Sequence, residues 1–342
     1  MKPGGGSRPV VIVHGRVEDS ASPDERDVLV EVEVVRGALQ ALGYPTAVLP
    51  VSLDLEAAAS ALRAASPALA FNLAESIDGR GSYIHLVPTL LDGMGIPYTG
   101  ASCEAMLLTS HKLLGKRVLD QAGIPTPAWL PAARAVTAAP PFPPPWIVKS
   151  VWEHASVGLE DSAVASTAEE LGREIRRRRA RERLEHLFVE AFVDGREFNL
   201  ALLGGTEDGK PENLPPAEIQ FVGYPEGKPR MVGYKAKWTE GSYEFDHTPP
   251  SYEIAERDRD LADTLLGMSR ACWEAFDLRG YARVDFRVDA GGRPYVLEVN
   301  ANPCLSPDAG FVAAAARAGL SVEDIIQRIV ADAAVTGGRA CR

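Results

Sequence analysis

The sequence predicts an α/β protein of two or three packed domains, and three observations carry that prediction. Its 342 residues exceed what one hydrophobic core usually supports. Through the first hundred residues, short apolar runs alternate with amphipathic stretches, the pattern of a parallel sheet with covering helices. Near the other end, two strongly alternating strands flank the pair Gly291-Gly292, a turn signal, and predict an antiparallel hairpin.

Taken in order, apolar runs at 10–13, 47–51 and 69–73 are separated by helical patterns at 28–42, closed by Gly43, and at 53–65, with another at 83–94. The first strand runs into His14-Gly15-Arg16-Val17-Glu18, with no GxGxxG opening a helix. The dinucleotide fingerprint is therefore missing, which removes the dehydrogenase reading. Residues 102–122 read as one helix, ended by Gly123 before the proline-broken linker Ile124-Pro125-Thr126-Pro127, where a new domain begins. Prolines crowd 140–145 ahead of the strand Trp146-Ile147-Val148-Lys149. Ser166 or Thr167 caps a helix carrying Arg173, Arg176, Arg177, Arg178, Arg179, Arg181 and Arg183, read as a solvated face balanced by glutamates. From 193 onward come strands, a polar loop at 223–250, a helix at 258–276 and a closing helix after Ser321. The expected division is 1–105, 106–192 and 193–342.

A formal charge of -11 gives no sequence-independent attraction to polyanions, so neither nucleic acid nor an anionic membrane is an expected partner. The apolar run from Pro9 to Val13 is too short for a secretory signal, and a soluble, cytoplasmic protein is expected. Cys103, Cys272, Cys304 and Cys341 lie far apart without CxxC spacing, which favours reduced thiols.

The strongest chemistry lies in the hairpin. If Asp289 faces Arg293 or Pro294, the register sets Asp285 opposite Glu298 and Arg283 opposite Asn300 on one face, while Val284, Phe286, Leu297 and Val299 fill the other. Two carboxylates directly opposite repel unless a positive charge lies between them. Their hard oxygens suit a divalent cation that keeps open positions for water and phosphate, as Mg²⁺ does on a nucleotide. An ordinary solvated strand face is the plain alternative.

At these residues a family resemblance emerges. Arg283-Val284-Asp285-Phe286, then Leu297-Glu298-Val299-Asn300-Ala301-Asn302-Pro303, with Leu305-Ser306-Pro307 and Gly310-Phe311 behind, resembles the metal and phosphate site of D-alanine:D-alanine ligase-like ATP-grasp enzymes. Phe71-Asn72-Leu73, Gly95-Ile96-Pro97-Tyr98-Thr99-Gly100, His111-Lys112, Ile147-Val148-Lys149, Ser156-Val157-Gly158 and Val189-Glu190 follow the family order, so the resemblance spans most of the chain. It implies an ATP-grasp fold and an ATP-dependent carboxylate-amine ligase acting through an acyl phosphate. Lys112 and Lys149 would hold nucleotide phosphates with the loop Ser156, Val157 and Gly158. Glu190, the backbone of Ala191, Phe192 and Val193, and Glu197 would meet adenine and ribose. Lys237 would cover the phosphates from a lid at 223–250. Asp285, Glu298 and Asn300 would hold two Mg²⁺ ions, with Mn²⁺ as an alternative. Arg283 and the backbone N–H at Cys304 would receive the oxyanion.

Departures from the pattern bear on substrate. The Gly-Gly-x-Ser-x-Glu turn of D-alanine ligases is replaced by His14-Gly15-Arg16-Val17-Glu18-Asp19. A loop serine becomes Ala155, preceded by His154; the lid aromatic is Trp238; Cys304 stands for glycine and Ala309 for a carboxylate-binding serine. Glu18, Glu75, His154, Trp238, Arg283 and Ala309 are the candidate substrate contacts. Cys304 is read as a tolerated small side chain, with no base partner identifiable. The leading expectation is an amino-acid or peptide ligase of specificity altered from D-alanine, acting on small molecules, with a homodimer as an open arrangement. A housekeeping D-alanine:D-alanine ligase and a non-catalytic ATP-binding regulator are the alternatives.

Overall fold

A computed structural model describes residues 8–153, 156, 158–205 and 209–336. Strand β1 (Val10–Gly15) is followed by α1 (Pro23–Ala41), β2 (Thr46–Val51), α2 (Leu55–Ala65) and β3 (Leu69–Asn72). The strands form a parallel sheet in the order β2-β1-β3. β1 is buried along its whole length because both faces are covered. Val10 and Ile12 join α1 on one side; Val11 and Val13 join α2 and the next helix, α3 (Leu86–Met94), on the other. α1 starts before the expected 28. Ser22 is its N-cap, Pro23 sits at its first position, and the Glu25 carboxylate accepts from the Ser22 N–H at 2.8 Å.

The single helix expected over 102–122 is two, α4 (Cys103–Ser110) and α5 (Lys112–Gln121). His111 between them is extended, and its Nδ1 accepts from the Leu114 N–H at 3.2 Å, capping the second helix. The Lys112 N–H donates to the Val151 carbonyl at 3.0 Å. The break is held by a cap and a distant contact, neither of which leaves a periodic signal.

A four-stranded antiparallel sheet follows, ordered β4-β7-β5-β6. Its elements are β4 (Trp129–Pro131), α6 (Ala132–Ala135), β5 (Trp146–Ser150), β6 (Val164–Ala165), α7 (Ala168–Arg178) and β7 (Leu187–Ala191). Thr167 caps α7 in a reciprocal pair with Glu170. The arginine run is exposed as expected except at Arg178, which is buried and donates to the Gly158 carbonyl at 2.7 Å.

The largest sheet contains β8 (Gly195–Leu203), β9 (Glu212–Asn213) and β10 (Ala217–Ile219). After it come α8 (Tyr234–Trp238), α9 (Tyr243–Asp246), β11 (Pro250–Ser251), α10 (Ile254–Arg257), α11 (Arg259–Ala275), β12 (Tyr281–Asp289), β13 (Pro294–Asn300), α12 (Gly310–Arg317) and α13 (Val322–Thr336). Its order is β11-β10-β8-β12-β13, with β9 on β8. The loop expected at 223–250 thus carries the short helices α8 and α9.

Packing crosses the expected divisions. Helices α4 and α5 share a core with Phe198, Leu200, Val284 and Val299 of the large sheet, while Leu113 of α5 also packs with Val151 and with Phe188 of the central sheet, so residues from 106 bridge the two. Phe71 and Val35 share a core with Leu203, Phe311 and Ile329, joining the two ends of the chain through α1 and α13.

The hairpin register matches at the polar pairs but not along its length. Arg283 pairs with Asn300 and Asp285 with Glu298, yet Phe286 pairs with Val296, and a bulge intervenes. The Asp289 N–H donates to the Arg293 carbonyl, so the turn alone would have put Asp285 opposite Leu297. The extra residue corrects the register. Val296, fully buried, therefore takes the core place expected of Leu297, which is half-buried.

Candidate active site

Alternation on β8, β12 and β13 sets charged residues in rows across one face, with Phe198, Leu200, Val284 and Phe286 beneath the other. The rows are Glu197 with Arg287, then Asn199 with Asp285 and Glu298, then Ala201 with Arg283 and Asn300. Arg283 forks onto Asp285, with Nε at 2.7 Å from Oδ1 and Nη2 at 2.8 Å from Oδ2. Asn199 and Asn300 each donate an amide N–H to the same carboxylate, at 2.7 and 3.2 Å. Glu298 pairs with Lys112 at 3.0 Å, which the break before α5 makes possible. Asn199 was missed in the sequence; its place two residues after Glu197 on an alternating strand was the available signal.

Lys237 reaches this face from α8. Burial and then the facing Arg283 guanidinium pull its ammonium below the usual lysine range, against the opposing pull of Asp285, Glu298 and Glu197. Trp238 ends the same helix and is half-buried. The lid segment is tied down twice. Tyr234 donates to Asp24 of α1 at 2.8 Å, and Ser156 donates to the Val232 carbonyl at 2.8 Å.

Lys149 projects from β5 onto Glu190 of β7 at 2.5 Å, and Lys116 of α5 pairs with the same carboxylate. Burial works against the Glu190 charge, but the two lysines more than offset it and hold its carboxyl below the ordinary range. Lys116, 2% exposed, was not anticipated; it lies one turn beyond Lys112, the spacing that brings two side chains to one helix face. Glu190 is therefore placed against lysines. The backbone edge after it is narrower than expected, because the N–H groups of Ala191 and Phe192 donate to the carbonyls of Ala128 and Pro145. The Val193 carbonyl accepts from Arg287, which also pairs with Glu197 at 2.9 Å and lies between the rings of Phe192 and Phe221.

In the phosphate loop, Gly158 has φ +72° and a Cβ there would meet the Arg178 guanidinium at 2.8 Å. His154 and Val157, expected contacts of this loop, lie outside the described residues, as does Ala155.

The substrate-side expectations divide. Glu75 is half-buried, and burial, Asp27 and Asp24 push its carboxyl up to about 7 against the pull of Arg283. Glu18 is exposed in the turn after β1 and is not brought to these groups. The carboxylates that do lie beside Glu75 are Asp27 and Glu31 of α1, which the helical spacing of 24, 27 and 31 puts on one face. The Cys304 thiol donates to Asp27 at 2.9 Å. Burial, then Glu31 and Glu75, push that thiol far above its usual range, the direction opposite to the one a nucleophilic thiolate needs. The Ala309 N–H, expected to survive for a substrate carboxylate, donates to the Ser306 carbonyl at 2.9 Å and is already committed. Among the described residues Cys103, Cys272 and Cys304 form no disulfide, and Cys341 lies outside them. No described helix is long and apolar enough to cross a membrane.

A model of the D-ala D-ala ligase C-terminus matches residues 118–331, well over half of the chain. The chain belongs to the D-alanine:D-alanine ligase family. Its relatives in this family include a D-alanine--D-alanine ligase of Moorella thermoacetica, 32% identical over 327 residues and covering 90% of this chain and 94% of the relative. An uncharacterized protein, y4sG of Sinorhizobium fredii, is 34% identical over 262 residues, 77% of this chain and 73% of that protein. The ATP-grasp fold is shared with the crystal structure of a family member, the D-alanine--D-alanine ligase of Bacillus anthracis complexed with ATP. There the TM-score is 0.71 at 19% identity, over 97% of this chain and 99% of that one.

Proposed function

We propose that this protein is an ATP-dependent carboxylate-amine ligase, joining an amino acid to an amino acid or peptide through an acyl phosphate, with specificity altered from D-alanine. The observation that carries the reading is the polar face of β12 and β13. Asp285 and Glu298 lie directly opposite each other, ringed by Arg283, Lys112 and Lys237. Such a ring suits a trianionic group in transfer and has no use in a purely structural sheet.

The donor set fits Mg²⁺, since two facing carboxylates and the Asn300 amide oxygen are hard ligands too few to enclose an ion. Bound there, Mg²⁺ would supply charge neutralisation between phosphate oxygens. The chain's own groups account for the rest. Lys149 and the N–H groups of the loop around Ser156 and Gly158 hold the nucleotide phosphates, and Lys237 covers the γ-phosphate from the lid. The donor carboxylate oxygen attacks γ-phosphorus and ADP leaves. Arg283 spends Nε and Nη2 on Asp285, which leaves the Nη1 end of its fork for the oxyanion formed when the amine attacks the acyl carbon. As the intermediate collapses, the C–O bond to phosphate breaks and the departing phosphate takes up the proton that the amine loses. Contacts from the lid to Asp24 and Ser156 exclude water that would hydrolyse the acyl phosphate.

Altered specificity is supported by the substrate side, where Cys304, Ala309 and Trp238 stand and carboxylates of α1 lie beside Glu75. Each missing polar contact to a buried substrate costs on the order of 1–3 kcal/mol. A screen of ADP release with D- and L-amino acids, hydroxy acids and short peptides, with products weighed by mass spectrometry, tests this. D-alanine alone is expected to be poor, and D-alanine self-condensation at least as efficient as every other pair would return the protein to housekeeping ligation.

A further inference from the structure

Between α1 and the segment after β13 lies an acidic side-chain cluster that the phosphoryl-transfer chemistry does not use. Asp27, Glu31 and Cys304 bring one ligand atom each within 4.8 Å of one another. Every donor they receive is neutral. Asp27 takes the Cys304 thiol at 2.9 Å and the Ser306 hydroxyl at 2.9 Å, while Glu31 takes the Leu305 N–H at 3.0 Å through Oε2. Glu31 is 2% exposed, and its Oε1 is buried without any hydrogen-bond partner. Glu75 faces the same group together with Asp24.

A buried carboxylate oxygen left unpaired is costly, and four neighbouring carboxyls add repulsion to desolvation. The cation that faces Glu75 is Arg283, and two of its nitrogens, Nε and Nη2, are already committed to Asp285. Four carboxyls thus face a single guanidinium, and burial pushes Glu31 and Glu75 toward their protonated forms, a shift that a bound cation would reverse. An ordinary amino acid brings a single ammonium and an offsetting carboxylate, so its net charge leaves the deficit in place. A dibasic amino acid brings a further ammonium. Primary ammonium also matches the geometry, since its three N–H donors can reach acceptors that converge from different elements.

We infer that this cluster binds the side-chain ammonium of a dibasic amino acid, Asp27, Glu31 and Glu75 being its acceptors, and that such an amino acid is a substrate. The inference rests on the ligase reading and adds the substrate class to it. A divalent metal is the competing occupant of the same three atoms. It is disfavoured by the thiol, which already serves as a donor to Asp27 and would have to give up its proton.

The test uses the full chain with Mg²⁺ and a non-hydrolysable ATP analogue, titrated calorimetrically with both enantiomers of lysine, ornithine, norleucine and alanine. Lysine and norleucine share one hydrocarbon stem and differ in the terminal charge. At least one enantiomer of lysine or ornithine should bind roughly tenfold or more tighter than norleucine. Glu31→Gln and, separately, Asp27→Asn should erase that preference while leaving affinity for the nucleotide analogue unchanged. Equal or weaker binding of the dibasic amino acids, or no amino-acid binding at all, overturns the inference. So does stoichiometric Zn²⁺ uptake that Cys304→Ser abolishes, without any amino-acid preference. ADP release with ATP separates the two readings. Turnover of neutral amino acids alone leaves the ligase and removes the dibasic site, whereas tight dibasic binding without ADP release on any pair keeps the site and removes the ligase.

Discussion

Asp285 carries more than its place opposite Glu298 indicates. It accepts from Nε and Nη2 of Arg283 and from two amide donors, at 8% side-chain exposure. Replacing it by asparagine strands a buried guanidinium, for which a cost of about 3–5 kcal/mol is typical, so loss of activity there would be mixed with loss of stability. Glu298, 25% exposed and paired with Lys112, is the cleaner probe. Glu298→Gln should keep the circular dichroism spectrum and lower kcat on the order of a hundredfold or more; an unchanged kcat contradicts the assignment of this face to phosphoryl transfer. Glu75 gives a pH prediction. Its folded-state carboxyl lies near 7 against an ordinary 4.5, so the native state holds the proton more tightly. Its contribution to stability is complete below the ordinary value and is lost as pH rises through about 7. Burial pushes Glu31 the same way. Thermal melts should fall from pH 5 to pH 8, and Glu75→Gln should flatten that slope; an identical slope in the variant rules out this titration. At this scale the sequence was legible where types alternate on a strand, as at Arg283, Asp285, Glu298 and Asn300. It was blind to Lys116 on Glu190, a pair that depends on how α5 meets β7.

Among the elements, the hairpin and the helix break show two ways in which periodicity misleads. The turn Gly291-Gly292 was readable, and so was the pairing of the carboxylates, but only the bulge before Glu298 reconciles them. The stretch 102–122 keeps helical composition through His111, so its break had no compositional signal; a side-chain cap and the Val151 carbonyl supply it. The segment 223–250 was readable as a polar insertion, whereas its latch onto α1 was not, because Tyr234 and Asp24 are 210 residues apart. That latch makes a prediction. Tyr234→Phe removes one hydrogen bond to a carboxylate and should loosen closure, so the ratio of amide product to ADP should fall by roughly two- to tenfold as acyl phosphate is lost to water. Chromatographic quantitation of both products checks this, and an unchanged ratio would show that the latch does not govern water access.

For the molecule as a whole, the first parallel sheet and the hairpin of the large sheet were legible from alternation and turn chemistry, whereas of the central sheet only the strand at 146–149 was read. The closure of the chain was not. Apolar residues of α1 and β1 pack with Leu203, Phe311 and Ile329, so the first segment is held against the last by a core whose partners are far apart in sequence. Carboxylates of α1 are thereby carried to Cys304, where the loop after β13 meets the reacting face. This union explains why the acidic cluster left no signal in the sequence: its groups come from both ends of the chain. The central claim is that a substrate carboxylate attacks the γ-phosphate before the amine arrives. Transfer of isotope tests it most directly, using an amino-acid pair that supports ADP release with the donor carboxylate labelled in ¹⁸O. The account predicts that the inorganic phosphate released carries one ¹⁸O atom from that carboxylate, seen by mass spectrometry; phosphate free of label, formed alongside the amide product, would contradict it.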